Sequence, residues 1–313
     1  MSVMDPAIPP AVVFPTCDDE ETWTWIDDRG RETDLPVLRG SEGRFMPPSL
    51  LDTTRVFGEA GERRRRQEYD AREIVLPLGL QVPDCPPREA LRIALRRLGC
   101  QLDTSREPGT LRCQLGGLEA REIVASYAGG YEVTEESTRV ATPVLVLRAH
   151  EPFWRASEDN TLVFATGTGL PFFILDEDDP TFTFGNPMPP FTLSVDTIVG
   201  SQVVQVPCDV EVWPVWELTG PAENVELQNL TTGLSLSLPG IVLGQGETLT
   251  IDTNPGVKTV TDGGGVNRFA SLDPASTLFP LAPGSNDLLL VVDGFAQGET
   301  ALTLRYRRRF LTV

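Results

Sequence analysis

Residues Cys208 to Pro221 read CDVEVWPVWELTGP, and the fold class of the chain turns on this stretch. Val210, Val212, Trp216 and Leu218 share one parity while Glu211 and Glu217 take the other, the alternation of a strand with one face in a core. Trp213 and Val215 interrupt the polar side, so that face is expected to be partly covered too. Pro214 has no N–H to give a ladder, which predicts an edge strand or a bulge at the kink. Such a strand belongs to a β-sandwich, and a sandwich of this kind is expected to act as a scaffold rather than a catalyst.

The sequence around it supplies sheet partners. Beyond Arg155 there is no helical periodicity. Short runs recur instead at Thr161 to Ala165, Phe172 to Leu175, Phe191 to Val199, Gln202 to Val206, Val225 to Asn229, Leu234 to Leu238, Thr248 to Asp252, Lys258 to Thr261, Leu288 to Val292 and Ala301 to Tyr306. Asn254-Pro255-Gly256, Asp262-Gly263-Gly264-Gly265, Pro283-Gly284 and Asp293-Gly294 punctuate them. Many short strands between turn signals predict an antiparallel sandwich.

The first half reads differently. Glu21 to Ile26, the turn Asp27 to Gly30 and Arg31 to Leu38 predict a hairpin, and Gly40 to Pro48 a loop. Glu62 to Asp70 carries Arg63, Arg64, Arg65 and Arg66 in succession; such a run reads as a solvated arm or as a contact with an acidic neighbour, including another copy of the chain. After the apolar strand Ile74 to Leu80 comes one long helix, capped by Asp84 or Cys85, with Pro86 and Pro87 in its first turn and Gly99 as its stop. Leu91, Ala94, Leu95 and Leu98 form its packing stripe and Arg88, Arg92 and Arg96 line another, either as solvated scaffold or as an intersubunit row. Leu111 to Leu115, Arg121 to Ala128 and Val140 to Leu147 follow as strands, with Gly116-Gly117 and Gly129-Gly130 read as separators. One helix among several strands predicts a small α+β domain over residues 1–154, closed by the corner His150 to Trp154, with a second domain over 155–313.

Composition narrows the function classes. The chain has 313 residues, enough for two cores, and no apolar run approaches the roughly 18 residues of a membrane span. No basic residue precedes an apolar segment at the start, so a signal peptide is not expected, and the chain is expected to be made in the cytoplasm and to stay soluble. Five cysteines without CxxC spacing point to reduced thiols rather than a disulfide framework or a zinc site. The net charge is −19. Residues 1–150 hold 19 basic against 25 acidic side chains, residues 151–304 hold 3 against 20, and the last nine residues add four arginines. That balance argues against nucleic acid or an anionic membrane as the main partner.

Chemistry-bearing patterns are few. A single histidine, His150, would have to carry any Ser/His/Asp or Cys/His mechanism, and it sits in a corner rich in Pro, Phe and Trp. The chain lacks a nucleophile elbow and a phosphate loop, and Gly263 to Gly265 reads as a hairpin turn. Asp176-Glu177-Asp178-Asp179 offers oxygens suited to calcium, but not with the spacing of an EF-hand, and reads more simply as a solvated turn. No carboxylate pair stands out for glycoside hydrolysis. No cofactor is expected. Trp216 reads as core; Trp213 stays open between a sugar platform and a subunit interface.

Taken in order and spacing, several segments resemble the distal tail (Dit) proteins of long-tailed bacteriophages, the phage tail or minor tail family: WTWIDDRGRETDL (Trp23 to Leu35), REIVLPL (Arg72 to Leu78), PPREALRIALRRLG (Pro86 to Gly99), GTLRCQLGG (Gly109 to Gly117) and LRAHEPFW (Leu147 to Trp154) in the first half, with DVEVWPVWELTGP (Asp209 to Pro221), GETLTIDTNPG (Gly246 to Gly256) and FPLAPGSNDLLL (Phe279 to Leu290) in the second. Asp159 to Val206 departs from the pattern, as extra strands or an insertion. The resemblance implies a belt domain closing into a homohexameric ring, a galectin-like sandwich facing outward, and a last strand that can return to the first domain. It also implies a structural place in the virion at the tail tip, between the tail-tube protein and the hub or fibre proteins, with the tape-measure protein as a further neighbour, and it brings no catalytic residues. A basic belt element, Arg63 to Arg66 or the Arg88/Arg92/Arg96 row, would then meet an acidic face of the next subunit. The alternative is a binding module of the tail tip that holds host-wall saccharide through Trp213.

Overall fold

The computed structural model describes residues 21–165 and 197–313, apart from 56, 59, 83–86, 106, 137–138, 295 and 297–298. Two compact units emerge: residues up to Ser157 together with Arg309–Val313, and Glu158–Arg308. Among the described residues the architecture is antiparallel strand with a single α-helix, the mainly β class that the sequence predicts, with the helix in the first unit.

The first unit begins with β1 (Glu21–Ile26), β2 (Glu32–Leu35), β3 (Ser49–Thr54), β4 (Arg63–Tyr69), β5 (Arg72–Pro77) and β6 (Leu80–Gln81). It continues with α1 (Pro87–Gln101), β7 (Gly109–Leu115), β8 (Arg121–Glu136), β9 (Val140–Ala149) and β10 (Trp154–Ala156). The spine is β8, which pairs with β7 through Ala125 and with β9 from Ser126 onward. Gly129-Gly130 does not separate two strands, contrary to the sequence expectation: it sits at register shifts inside β8. Gly130 has φ +74, and a Cβ there would lie 2.3 Å from the Val144 carbonyl oxygen. Only glycine fits so close an approach in that conformation.

The helix stripe packs as its spacing predicts: Leu91 and Leu98, with Leu102 beyond, join Trp23, Ile74, Leu76, Leu111 and Leu145 in one core. Gly99 does not stop the helix, which runs on to Gln101. There the Gln101 carbonyl accepts the indole N–H of buried Trp25 at 2.8 Å. A Cβ at Gly99 would be 3.4 Å from the Tyr131 ring, whose hydroxyl donates to the Leu95 carbonyl at 2.7 Å, so glycine at this position makes room for a neighbour. The expected caps Asp84, Cys85 and Pro86 lie outside the described residues.

The second unit holds β11 (Asn160–Ala165), β12 (Thr197–Val206), β13 (Val215–Thr219), β14 (Ala222–Asn229) and β15 (Leu234–Leu243). To these it adds β16 (Thr248–Asp252), β17 (Thr259–Asp262), β18 (Gly284–Asp293) and β19 (Ala301–Tyr306). Its described strands form two antiparallel sheets, β11-β19-β13-β16-β17 and β12-β18-β14-β15, whose inner faces share one core. Trp216, 1% exposed, meets Phe279 edge-on with ring centroids 6.2 Å apart. The stretch Cys208 to Pro221 is not one strand. The ladder starts at Val215, directly after the residue that cannot donate to it. Before that, Val212 makes an isolated bridge to Leu281, and the Pro214 carbonyl accepts the Thr253 hydroxyl at 2.7 Å. Pro214 therefore marks a strand start, and β13 lies centrally between β16 and β19 rather than at an edge. Gln202 to Val206 and the described end of the run Phe191 to Val199 join as β12, with Gly200 paired to Leu290. Phe172 to Leu175 lies outside the described residues.

After Arg308 the chain re-enters the first unit. There β20 (Arg309–Phe310) pairs with β10, Trp154 opposite Phe310 and Arg155 opposite Arg309. The first unit's main sheet then runs β2-β1-β7-β8-β10-β20, with β9 on β8 and β5 and β6 on β9. The second unit is thus inserted between two neighbouring antiparallel strands. Its own ends are paired as well, Asn160 opposite Tyr306, and Arg307 donates to Asp159 at 2.7 Å.

Candidate assembly surfaces

Among the described residues, no three or more His, Cys, Asp or Glu side chains gather as a metal would require. His150 is exposed in the turn between β9 and β10. Asp176 to Asp179 lies outside the described residues. A polar hollow is lined by Asp27, Asp28, Arg29, Arg31, Cys100, Gln101, Asp103 and Ser105. Asp27 accepts backbone N–H groups of Arg29 and Arg31, each at 2.9 Å, and the Arg31 Nε–H at 2.6 Å. Burial pushes its carboxyl pKa up, but these bonds and the Arg31 charge together hold it below the usual value. The carboxylate is committed to its own turn.

The most built polar feature holds the end of the chain. Arg72 shares the parity of core residues Ile74 and Leu76, and it is fully buried. Its Nη1 donates to the carbonyls of Gly43 (3.2 Å) and Phe45 (2.8 Å), and its Nη2 to that of Leu311 (2.9 Å). The guanidinium lies over the Trp154 ring. Burial lowers its pKa to about 10, which leaves it charged at neutral pH. Arg121 donates to the Thr312 carbonyl and lies 4.0 Å over the Phe310 ring. Arg309 pairs with Glu151 at 2.7 Å and lies 4.4 Å over Phe153. Three guanidiniums and the β10 ladder therefore clasp Arg309–Val313 into the first unit. Sequence reading missed this clasp; the signal available was an arginine at a core parity position of β5.

The predicted interface residues fall on separate elements. Arg63, Arg64, Arg65 and Arg66 are all exposed on β4, which pairs only with β3 among the described strands. Arg88, Arg92 and Arg96 are exposed along one side of α1. Trp213, half-buried, belongs to the second unit, between the Val212 bridge and β13. The two arginine groups thus belong to different elements of the first unit, β4 and α1, and Trp213 to the second unit. The arginine run, read from sequence as a solvated arm or a contact with an acidic neighbour, lies on a strand, β4.

Comparison with known proteins places this architecture. Residues 207–310 match the family model of the siphovirus-type tail component, C-terminal domain. No curated protein matches. Among solved structures, the chain is similar to the Dit protein of phage SPP1, described as a paradigm of the hub adsorption apparatus in phages infecting Gram-positive bacteria. That likeness has 13% identity, covers 93% of this chain and 99% of the other, and gives a TM-score of 0.62. It is also similar to a chain of the phage p2 baseplate in its activated conformation, solved with strontium and again with calcium. In each case identity is 9%, coverage 94% and 99%, and the TM-score 0.51. The chain therefore shares its fold with the SPP1 Dit protein, and its residues 207–310 are similar to the C-terminal domain of siphovirus-type tail components.

Proposed function

We propose that the chain is a structural subunit of a homohexameric ring at the distal end of a phage tail, joining the tail-tube protein to the hub or fibre proteins of the tip, with the tape-measure protein as a further neighbour. The observation that carries this reading is the likeness to SPP1 Dit, which extends over both units and nearly the whole of either chain. The first unit, with residues 1–154 at its heart, is the belt that closes the ring. The second is the galectin-like sandwich, facing outward. Ring closure of identical copies is head to tail, so unlike surfaces must meet, and the exposed arginine rows beside an acidic remainder suit such a contact. The virion, after assembly in the host cytoplasm, is the proposed location.

Light scattering on the purified full chain tests the ring. Six copies of 34.2 kDa give about 205 kDa, and a 34.2 kDa species at every concentration contradicts it. The saccharide alternative rests on Trp213, which lies half-buried outside the strands of the second unit. No observation favours it over the ring.

A further inference from the structure

Apolar side chains gather on the outer side of the four-stranded sheet in the second unit. Along β18, Asn286, Leu288, Leu290 and Val292 are buried, so Asp287, Leu289, Val291 and Asp293 take the outward parity. The solvated side of an antiparallel sheet is normally polar, yet Leu289 and Val291 are neighbours in the middle of this one. The ladder sets Asp287 opposite Val203, and the Leu230 N–H, which donates to the Asp287 carbonyl at 2.8 Å, sets Leu230 on its other side. Val203 and Leu230 are therefore both diagonal to Leu289, within side-chain reach, and they are 56% and 50% exposed. Val242, opposite Glu223 on the neighbouring strand, is 64% exposed. An apolar group of this kind with a polar rim marks a contact surface.

Charge decides the occupant. Asp287 stands within the apolar group and Glu226 lies opposite Val291, while strands β12, β14, β15 and β18 contain no Lys, Arg or His. Asp287 and Glu226 accept from neutral donors of the same face, Ser201 Oγ at 2.9 Å and Gln228 Nε2 at 2.8 Å. The other sheet differs: Glu217 on its outer side is paired with Arg305 at 2.7 Å. The charge that complements the four-stranded face is thus a partner's. A second copy suits it poorly, because residues 158–308 hold 19 acidic against five basic side chains and the arginine rows of the first unit are assigned above to ring closure. We propose that the outer face of the β12-β18-β14-β15 sheet docks a basic segment of a different tail-tip protein, whose apolar anchor covers Val203, Leu230 and Leu289 and whose lysines or arginines meet Asp287, Glu226 and Glu223. The inference rests on the ring reading, in which the sandwich faces outward, and gives the chemistry of one neighbour.

The test uses isolated tail particles. A zero-length carbodiimide joins a carboxylate to a lysine amine, and this chain has one lysine, Lys258, so a link from Asp287, Glu226 or Glu223 to any other lysine identifies a different protein. Particles built with the triple variant Val203→Asp, Glu226→Lys, Asp287→Lys, or with the milder pair Glu226→Gln, Asp287→Asn, are compared with wild type by their protein content. None of these side chains belongs to the core, so both purified variants should keep the wild-type circular dichroism and melting profile; should the triple variant misfold, the milder pair decides. The triple variant should hold the neighbour roughly 30-fold or more weakly, the scale of losing an interface hot spot, and its particles should lack one protein, the one that the wild-type links identify, while the ring stays whole. Loss of that protein from an intact ring supports the docking face even where the neighbour meets it with arginines and forms no link. Variant particles that keep every wild-type protein, or links that run only to Lys258 of another copy, overturn the face and leave the ring standing. Tail particles without this chain overturn both.

Discussion

Replacing Arg72 with methionine keeps most of the side-chain volume and removes the guanidinium that joins three carbonyls. Gly43, Phe45 and Leu311 each lose a charged donor, worth roughly 1.5–3 kcal/mol apiece, so about 4.5–9 kcal/mol is lost in all. Against that, the charge no longer has to be buried. The drop in its pKa to about 10 sets this relief at roughly 3 kcal/mol. The difference centres near 3 kcal/mol of destabilisation, felt in the first unit because every partner lies there. For a unit of this size that is a fall of about 6–12 °C in its melting temperature. Hydrogen exchange read at β5, β9 and Arg309–Val313, followed through thermal unfolding, separates the first unit from the second. The expected result is early loss of protection at 309–313 together with the shifted first-unit transition, with the sandwich unchanged. A first-unit transition within about 1 °C of wild type, with the last five residues as protected as before, would refute the clasp.

Gly130→Ala should destabilise the first unit by about 2 kcal/mol or more, because the added carbon meets the Val144 carbonyl oxygen at 2.3 Å in a positive-φ conformation; denaturant titration checks it, and a neutral result would mean that the bulge relaxes freely. Cys113 is buried with its thiol 3.7 Å from Glu21 Oε1. Burial first, then the Glu21 charge, raises its pKa to about 12, so peptide mapping after mild alkylation at pH 8 should find the exposed Cys100 modified well before Cys113. Asp262 accepts the N–H groups of Gly264 (3.1 Å) and Val266 (2.9 Å) and the Arg268 Nε–H (2.9 Å). Its carboxyl pKa is lowered, first by the Val266 bond. A carboxyl lowered on folding supports the turn above its unfolded pKa, near 3.8, and releases it as the pH falls through the folded value. Protection of the Val266 amide should therefore persist at pH 5 and fade below 3.8, and Asp262→Asn should show the faded state at both.

The sandwich was legible because its strands obey local rules. Thr248–Asp252 and Ala301–Tyr306 appear in the structure with the limits their alternation predicts, and Trp216 is core as its parity requires. What local pattern could not reveal depends on neighbours distant in sequence. Gly129-Gly130 reads as a break, but the β9 ladder across from it carries the strand through. Gly99 reads as a stop, but its missing Cβ is where the Tyr131 ring packs. Pro214 reads as a defect within a strand, whereas the ladder begins just after it. The β3–β4 hairpin escaped because adjacent leucines and an arginine run show no alternation of buried and exposed positions, as expected where neither face packs on its own chain. For the candidate surfaces, the exposure of Arg88, Arg92 and Arg96 followed from their spacing on α1, and that of Arg63 to Arg66 from the run of charge. The clasp did not, since an arginine at a core parity position becomes informative only when residues 311 and 312 are known to return.

The account as a whole is tested most directly by electron cryomicroscopy of intact tail particles at a resolution that traces strands. It predicts six copies of this chain around the tail axis at the distal end, the first units forming a closed ring between tube and hub. Density that places the chain away from that axis, or in any number of copies that does not close around it, would contradict it.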